Sequence, residues 1–309
     1  MGRGRSSEYD AWFDWEPSDR TEARPRTRRS RRPRRRLGAL RWVAVLSVCA
    51  LLVLGAGKLW EGNPPDAAPG GDGVQTPFQP GAELLDQLRA LAREEPQAEV
   101  LLDRPEDYPE ELLELAVRNP EALDFVARYP QEKDAQPAGS VGEVERGTYP
   151  LLMQWDPRWG CAPYGDSLMA LNGCGPTALS MAVCGLTGDG AVTPWTVARY
   201  ADEVGYYVEG AGSKWELMST GCQHFGLSAR ELPLDRSIMV RALEDGQPIV
   251  CSVGPGDFTT SGHFILLTGM EDGKFRVNDP NRRANSEKLW DYDTLAPQIR
   301  NLWAYTLAG

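Results

Sequence analysis

The chain has 309 residues, 41% of them hydrophobic, and a formal net charge of −11, which provides for at least one folded core and excludes a wholly disordered protein. The charge is split along the chain: residues 1–41 carry 13 arginines against six acids, and the remainder carries 20 basic and 38 acidic side chains. That asymmetry excludes a uniformly acidic protein and requires the segments to be read one by one.

Residues 1–41 form a basic tail rich in Arg, Ser, Pro and Asp with few aliphatics, a composition expected to stay disordered on the cytoplasmic side of a membrane. Ten of its arginines fall in residues 24–41, and sixteen residues without a charge follow from Trp42 to Gly57. With the Lys58 stem lying along apolar surface and Leu59 and Trp60 beyond it, residues 42–60 reach the length of about 20 residues that crosses a bilayer as a helix. The arginines before it and the acids after it orient the span with its N-terminus inside and the rest of the chain extracytoplasmic. A cleaved signal peptide ending near Gly55-Ala56-Gly57 is the competing reading, set against a 41-residue basic segment far longer than such peptides carry. Beside a membrane span the arginines serve topology and contact with anionic lipid, so no nucleic-acid partner is expected.

Residues 61–80 read as a flexible stalk of Gly, Pro, Asp and Gln. Residues 81–131 then read as a small acidic helical module, a spacer, dock or lid. Leu84, Leu85, Leu88, Leu91 and Ala92 fall at helical spacing, as do Leu112, Leu113, Leu115 and Ala116, and then Ala122, Leu123, Phe125 and Val126. Prolines at 96, 109, 120 and 130 punctuate these runs. A polar linker over 132–147 leads to a domain over 148–309. There, helices are expected over 175–186, 194–204 and 213–225. Strands are expected over 248–253, 263–268, 274–278 and 302–307, with Asp272-Gly273 as a hairpin turn. Helices followed by antiparallel strands make an α+β domain.

Within this domain Gly173-Cys174-Gly175-Pro176-Thr177 opens a helix. Pro176 suits a first turn, and the flanking glycines allow a sharp bend into it. A sulfur at the positive end of a helix favours the thiolate, which is the nucleophile, whereas a cysteine elsewhere is usually a small buried apolar residue. The chain has only two histidines. His263, after Gly262, sits where a loop enters a strand, while His224 lies in a helical pattern without such a setting. The next strand ends at Asn278-Asp279-Pro280, and a hairpin from 263 to 279 places a carboxylate beside the ring, with Asn278 as the rival orienter. A cysteine, a base and a group orienting that base are the parts of an acyl-transfer site.

Gln154-Trp155-Asp156-Pro157-Arg158-Trp159-Gly160, Tyr164-Gly165, Gly173 to Thr177, Gly262-His263-Phe264-Ile265 and Asn278-Asp279-Pro280 occur in this order. Over residues 149–308 this pattern resembles the bacterial extracytoplasmic C39-like peptidases, relatives of the enzymes that process bacteriocin double-glycine leaders and members of the papain-like cysteine peptidases. The resemblance implies a papain-like fold with Cys174, His263 and Asp279 as the triad. It also implies Gln154 as an oxyanion-hole side chain, partnered by the Cys174 N–H. Gln154 stands twenty residues before the cysteine instead of a few, so the intervening segment has to loop out. Trp215 and Gly262 are further candidates for lining a substrate cleft, with Asn285, Ser286 and Trp290 either near the site or closing a loop.

Of the remaining extracytoplasmic cysteines, Cys161, Cys184, Cys222 and Cys251 permit two disulfides in three connectivities, or four buried thiols. With no Cys-x-x-Cys pair, a zinc site is disfavoured and no cofactor is expected. The expected partner is a peptide or protein substrate, with association with the cell wall as an extension. Hydrolysis of cell-wall peptide cross-links and an inactive tethered binding module are the alternative functions.

Overall fold

The computed structural model describes residues 80–309. The expected tail, the span at 42–60 and nearly all of the stalk lie outside the described residues. Among the described residues no helix is long and apolar enough to cross a membrane.

Proline sets the rhythm of the N-terminal segment. Helix α1 (Ala82–Glu94) ends just before Pro96, which opens a 3-10 turn into α2 (Glu99–Asp103). Pro105 and Pro120 likewise open 3-10 turns, and Pro109 stands immediately before α3 (Glu110–Arg118). In such positions the missing N–H forfeits no helical bond. Pro130 departs from this rhythm, lying inside α4 (Leu123–Glu132). The apolar stripes of the four helices meet in a core containing Leu88, Leu101, Leu112, Leu113, Phe125 and Val126, and this core also takes in Met153, Trp155, Cys161 and Ala170. The helical segment therefore shares its core with the chain that follows. Truncating the fully buried Leu112 to Ala is expected to cost about 2–5 kcal/mol. Because the core is shared, thermal unfolding followed by circular dichroism should shift as one transition and not shed the helices first.

The C-terminal part is a six-stranded antiparallel sheet of β1 (Leu227–Glu231), β2 (Ile249–Val253), β3 (His263–Glu271), β4 (Lys274–Asn278), β5 (Leu289–Trp290) and β6 (Ile299–Leu307). Their spatial order is β1-β6-β2-β3-β4-β5. Every residue of β2 is buried, because the sheet is covered on both faces. On one face Val250, Phe264, Leu266, Trp303 and Tyr305 pack with α5 (Cys174–Thr187) and α6 (Pro194–Glu203). On the other, Ile249, Cys251, Ile265, Leu267 and Val277 pack with α7 (Arg236–Glu244). Alternating side chains go to opposite faces, as the pleat requires. Helix α5 is buried from Gly175 to Gly185, which explains why its sequence is apolar nearly all round.

The hairpin expected at Asp272-Gly273 forms, with both residues at positive φ (50° and 76°) between β3 and β4, the conformation that this dipeptide favours in a two-residue turn. The helix expected over 213–225 does not form as one piece. It divides into Glu216–Ser219 and a 3-10 turn over Gly221–Phe225. Gly221, a weak helix former, stands at the break and lies so close to the Tyr206 ring that an added Cβ would be 2.9 Å from it. Strand β1 and helix α7 have no counterpart among the expected elements; Asp235 caps α7 by accepting hydrogen bonds from the Ser237 and Ile238 N–H groups.

Candidate active site

Cys174 is the first residue of α5, so its N–H belongs to the turn that has no acceptor within the helix. Gly173 has an ordinary negative φ of −82°, so its role is spatial and not a bend that only glycine can make. A Cβ there would meet the Met169 carbonyl oxygen at 2.4 Å, and one on Gly175 would meet Ser213 Oγ at 2.5 Å. The absence of both side chains lets the Met169–Asn172 turn and the Tyr207–Ser213 ribbon close in around the cysteine.

His263 begins β3, where it pairs with Val253 of β2, and Asp279 follows the last residue of β4. Their side chains meet, with His263 Nε2 2.8 Å from Asp279 Oδ1. The histidine is 7% exposed and the aspartate 0%. Cys174 lines the same cleft as the ring and, after Asp279, favours its charged form; with Nε2 engaged by the carboxylate, Nδ1 is the nitrogen left for the sulfur. Asn278, the rival orienter, turns elsewhere and donates to the Tyr149 and Pro150 carbonyls at 3.2 Å each.

Electrostatics follow from this geometry. Burial works against a charged imidazole, but the charge and hydrogen bond of Asp279, and then those of Cys174, outweigh it and raise His263 to about 10. Burial alone would raise the Asp279 carboxyl. The neighbouring His263, with hydrogen bonds from Asn285 and the Asn281 N–H, instead holds it below the usual carboxylate range. Asn285 Nδ2 donates to Oδ2 at 2.7 Å, and the Asn281 and Arg282 N–H groups donate to Oδ1 at 2.8 and 3.3 Å. Ser286 Oγ accepts the Asp279 N–H, and the Trp290 indole donates to the Asn285 carbonyl. Asn285, Ser286 and Trp290 thus support the carboxylate, and none of the three is among the residues lining the cleft.

Cys174 and His263 open onto a cleft of about 490 Å³ that Gln154, Gly262, Asn281 and Arg282 also line. Gln154 reaches it because the twenty residues before the cysteine fold back as a two-residue ribbon (Pro163–Tyr164 with Ser167–Leu168) and the Met169–Asn172 turn. Its amide donates to the Ala170 and Leu171 carbonyls at 2.7 and 3.2 Å, while its buried Oε1 has no partner among the described residues. Trp215, expected in the cleft, does not line it. Its ring packs edge-on against Trp303, with centroids 5.8 Å apart, at the margin of the core. Leu115, Arg118 and Asn119 of the helical segment do line the cleft. Sequence reasoning missed them, because nothing local marks residues that meet a turn some 160 positions later.

The other four described cysteines are buried and unbridged. Burial pushes the thiols of Cys161, Cys184 and Cys222 up to about 11 and that of Cys251 higher still. Among the described residues, Cys174 alone combines a partly exposed thiol with a base at its side.

A family model described as the Peptidase_C39 like family matches residues 147–307. Among solved structures, a protein from Bacillus anthracis provisionally named a C39-like peptidase is similar at 16% identity, covering 54% of this chain and 100% of its own, with a TM-score of 0.31. That likeness is too weak to support a structural argument. Comparison with the curated proteins finds no match. The family match runs from the residues just before the Gln154 turn to the end of β6 and contains every residue of the cysteine–histidine–aspartate cluster; the chain belongs to the C39-like peptidase family.

Proposed function

We propose that this chain is a membrane-anchored, extracytoplasmic cysteine peptidase of papain-like design that cuts peptide bonds through an acyl-enzyme. One observation carries the reading: a buried His263–Asp279 hydrogen bond of 2.8 Å, with Cys174 lining the same cleft as the ring and standing at the start of a helix. Asp279 favours the charged form of His263, so the ring is an acid ready to serve a leaving group, and Cys174 supplies the nucleophilic sulfur. The thiolate attacks the scissile carbonyl carbon. The developing oxyanion is received by the Cys174 N–H and by the Gln154 amide, which exchanges its longer bond to Leu171 for the substrate oxygen. His263 passes its proton to the departing amine as the C–N bond breaks, leaving a thioester on Cys174. The neutral ring then takes a proton from water, whose oxygen attacks the thioester; the acid product leaves and the thiolate–imidazolium pair returns. Asp279 holds the ring in place and favours its charged form throughout.

The anchor rests on the sixteen uncharged residues after the arginine block, and the outward placement of the site rests on the charge asymmetry about them. A digest of a mixed peptide library by the full chain in detergent, with Cys174→Ala as control, tests the reaction. Cleavage products formed equally by both proteins would overturn it. Release of peptides from purified peptidoglycan with no cleavage of the library would favour the cell-wall alternative.

A further inference from the structure

The turn that follows Asp279 is gripped from outside the family-matched region. Its Asn281 and Arg282 N–H groups point inward and hold the Asp279 carboxylate. Its outward groups are taken by the helical segment that precedes residue 147 and by Trp155. Asn119 is buried at 3% exposure, and its Nδ2 donates to the Asn281 carbonyl at 2.7 Å. The Trp155 indole reaches the same carbonyl at 2.8 Å. The Glu121 carboxylate accepts from the Arg283 and Ala284 N–H groups at 2.6 and 3.1 Å. Arg282 Nη2 donates to the Arg118 carbonyl at 2.6 Å. Backbone groups of four consecutive residues, 281 to 284, are thus bound to Asp279, to Trp155 or to the junction between α3 and α4.

We infer that Asn119 and Glu121 are positioning residues for the reaction, clamping from the helical segment the turn whose N–H groups aim Asp279 at His263. The inference rests on the proposed cysteine-peptidase reading. It makes the segment an integral part of the active site, neither a spacer nor a removable lid. A buried carboxylate held by backbone donors depends on where those donors stand, and a displacement of about 1 Å in a catalytic array can cost about 100-fold in rate. A turn released on its outer side retains the inner hydrogen bonds but loses the fixed backbone that sets their direction. The ionisable groups that act on His263 are Asp279 and Cys174. The other charged residues lining the cleft are Arg118, Asp257 and Arg282.

The test uses the full chain with Asn119→Ala, Glu121→Ala and Glu121→Gln. Peptide-resolved alkylation of Cys174 by iodoacetamide is followed across pH beside kcat and KM. In the two alanine variants kcat is expected to fall about 10–100-fold with KM within about twofold. The alkaline limb of the kcat profile, set by His263, is expected to move toward neutrality. Glu121→Gln, which keeps an acceptor oxygen for one of the two N–H groups, should recover most of both. A loss of thermal stability alone, with the pH profile and kcat superimposed on the parent, would overturn the inference. If Asn119→Ala fails to fold, the Glu121 pair decides by the same two readouts. A parent protein that neither reacts at Cys174 nor cleaves peptides would instead defeat the peptidase reading.

Discussion

Replacing Cys174 with Ala is expected to abolish both labelling by a thiol-reactive peptide electrophile and peptide hydrolysis, the latter by on the order of 10⁴-fold or more. Selectivity is the reason that the labelling result is informative. Cys161, Cys184, Cys222 and Cys251 are buried with thiols that burial pushes up. None of the four offers an accessible thiolate near neutral pH. Cys174 is partly exposed on the cleft with His263 against it. Mass spectrometry of peptide digests after brief labelling at pH 7 should place the adduct on Cys174 and show none there in the variant. Cys49 lies outside the described residues, and the peptide map separates it. An adduct spread evenly over the buried cysteines, or hydrolysis that survives the substitution, would remove Cys174 as the nucleophile.

Asp279→Asn should lower kcat by roughly 10²–10⁴-fold and move the alkaline limb of activity toward neutrality. Burial by itself favours a neutral His263 ring, and the Asp279 carboxylate is the chief influence that reverses this. In the parent, the imidazolium persists as pH rises until it is lost near 10, so activity should hold to that point and then decline. Without the carboxylate, the burial effect meets only the influence of the thiolate, and the decline comes at lower pH. The asparagine Oδ1 can still accept from the Asn281 and Arg282 N–H groups, so the fold should survive, which near-ultraviolet circular dichroism would verify.

The same shifts set the pH dependence of stability. Because the His263 value is raised in the folded state, its pairing stabilises fully below the ordinary histidine value of about 6.5 and is lost as pH rises through about 10. The Asp279 value is depressed, so its contribution is present above the ordinary carboxylate range and is lost as pH falls through the folded value. An alkaline limb that stays unmoved in Asp279→Asn would show that the carboxylate does not govern the ring.

Much of this site was legible in the sequence because its signals are local. Gly173 to Thr177 carries its own helix start, His263 opens an aliphatic strand, and Asp272-Gly273 is a turn that returns the chain toward that histidine. Three short-range rules therefore bring Cys174, His263 and Asp279 within one fold's reach. They did not choose between Asp279 and Asn278, since adjacent residues at a strand end point to opposite sides. The register decided that: Asn278 pairs with Leu266, and its amide turns to the Tyr149 and Pro150 carbonyls. Trp215 was misplaced for a related reason. An aromatic residue beside glycines fits a cleft wall or a core margin equally well, and only the position of Trp303 in a strand 88 residues later settles it.

Composition and charge order determined by themselves the division of this protein into a basic tail, an apolar stretch and an acidic remainder, because each is a property of consecutive residues. Proline spacing and apolar periodicity located three of the N-terminal helices, for the same reason, but not the short helix Glu99–Asp103 or the continuation of α4 through Pro130. Whether that helical segment stands alone was decided only by the tertiary structure. Its apolar stripes are complementary to Met153, Trp155 and Ala170, and its Asn119 and Glu121 meet backbone groups more than 160 residues away. Such contacts leave no trace in either partner's local sequence, since a backbone carbonyl or N–H is the same at every residue. The sequence names the groups that carry charge and chemistry; which backbone stands behind them, and from how far along the chain it comes, is set by packing.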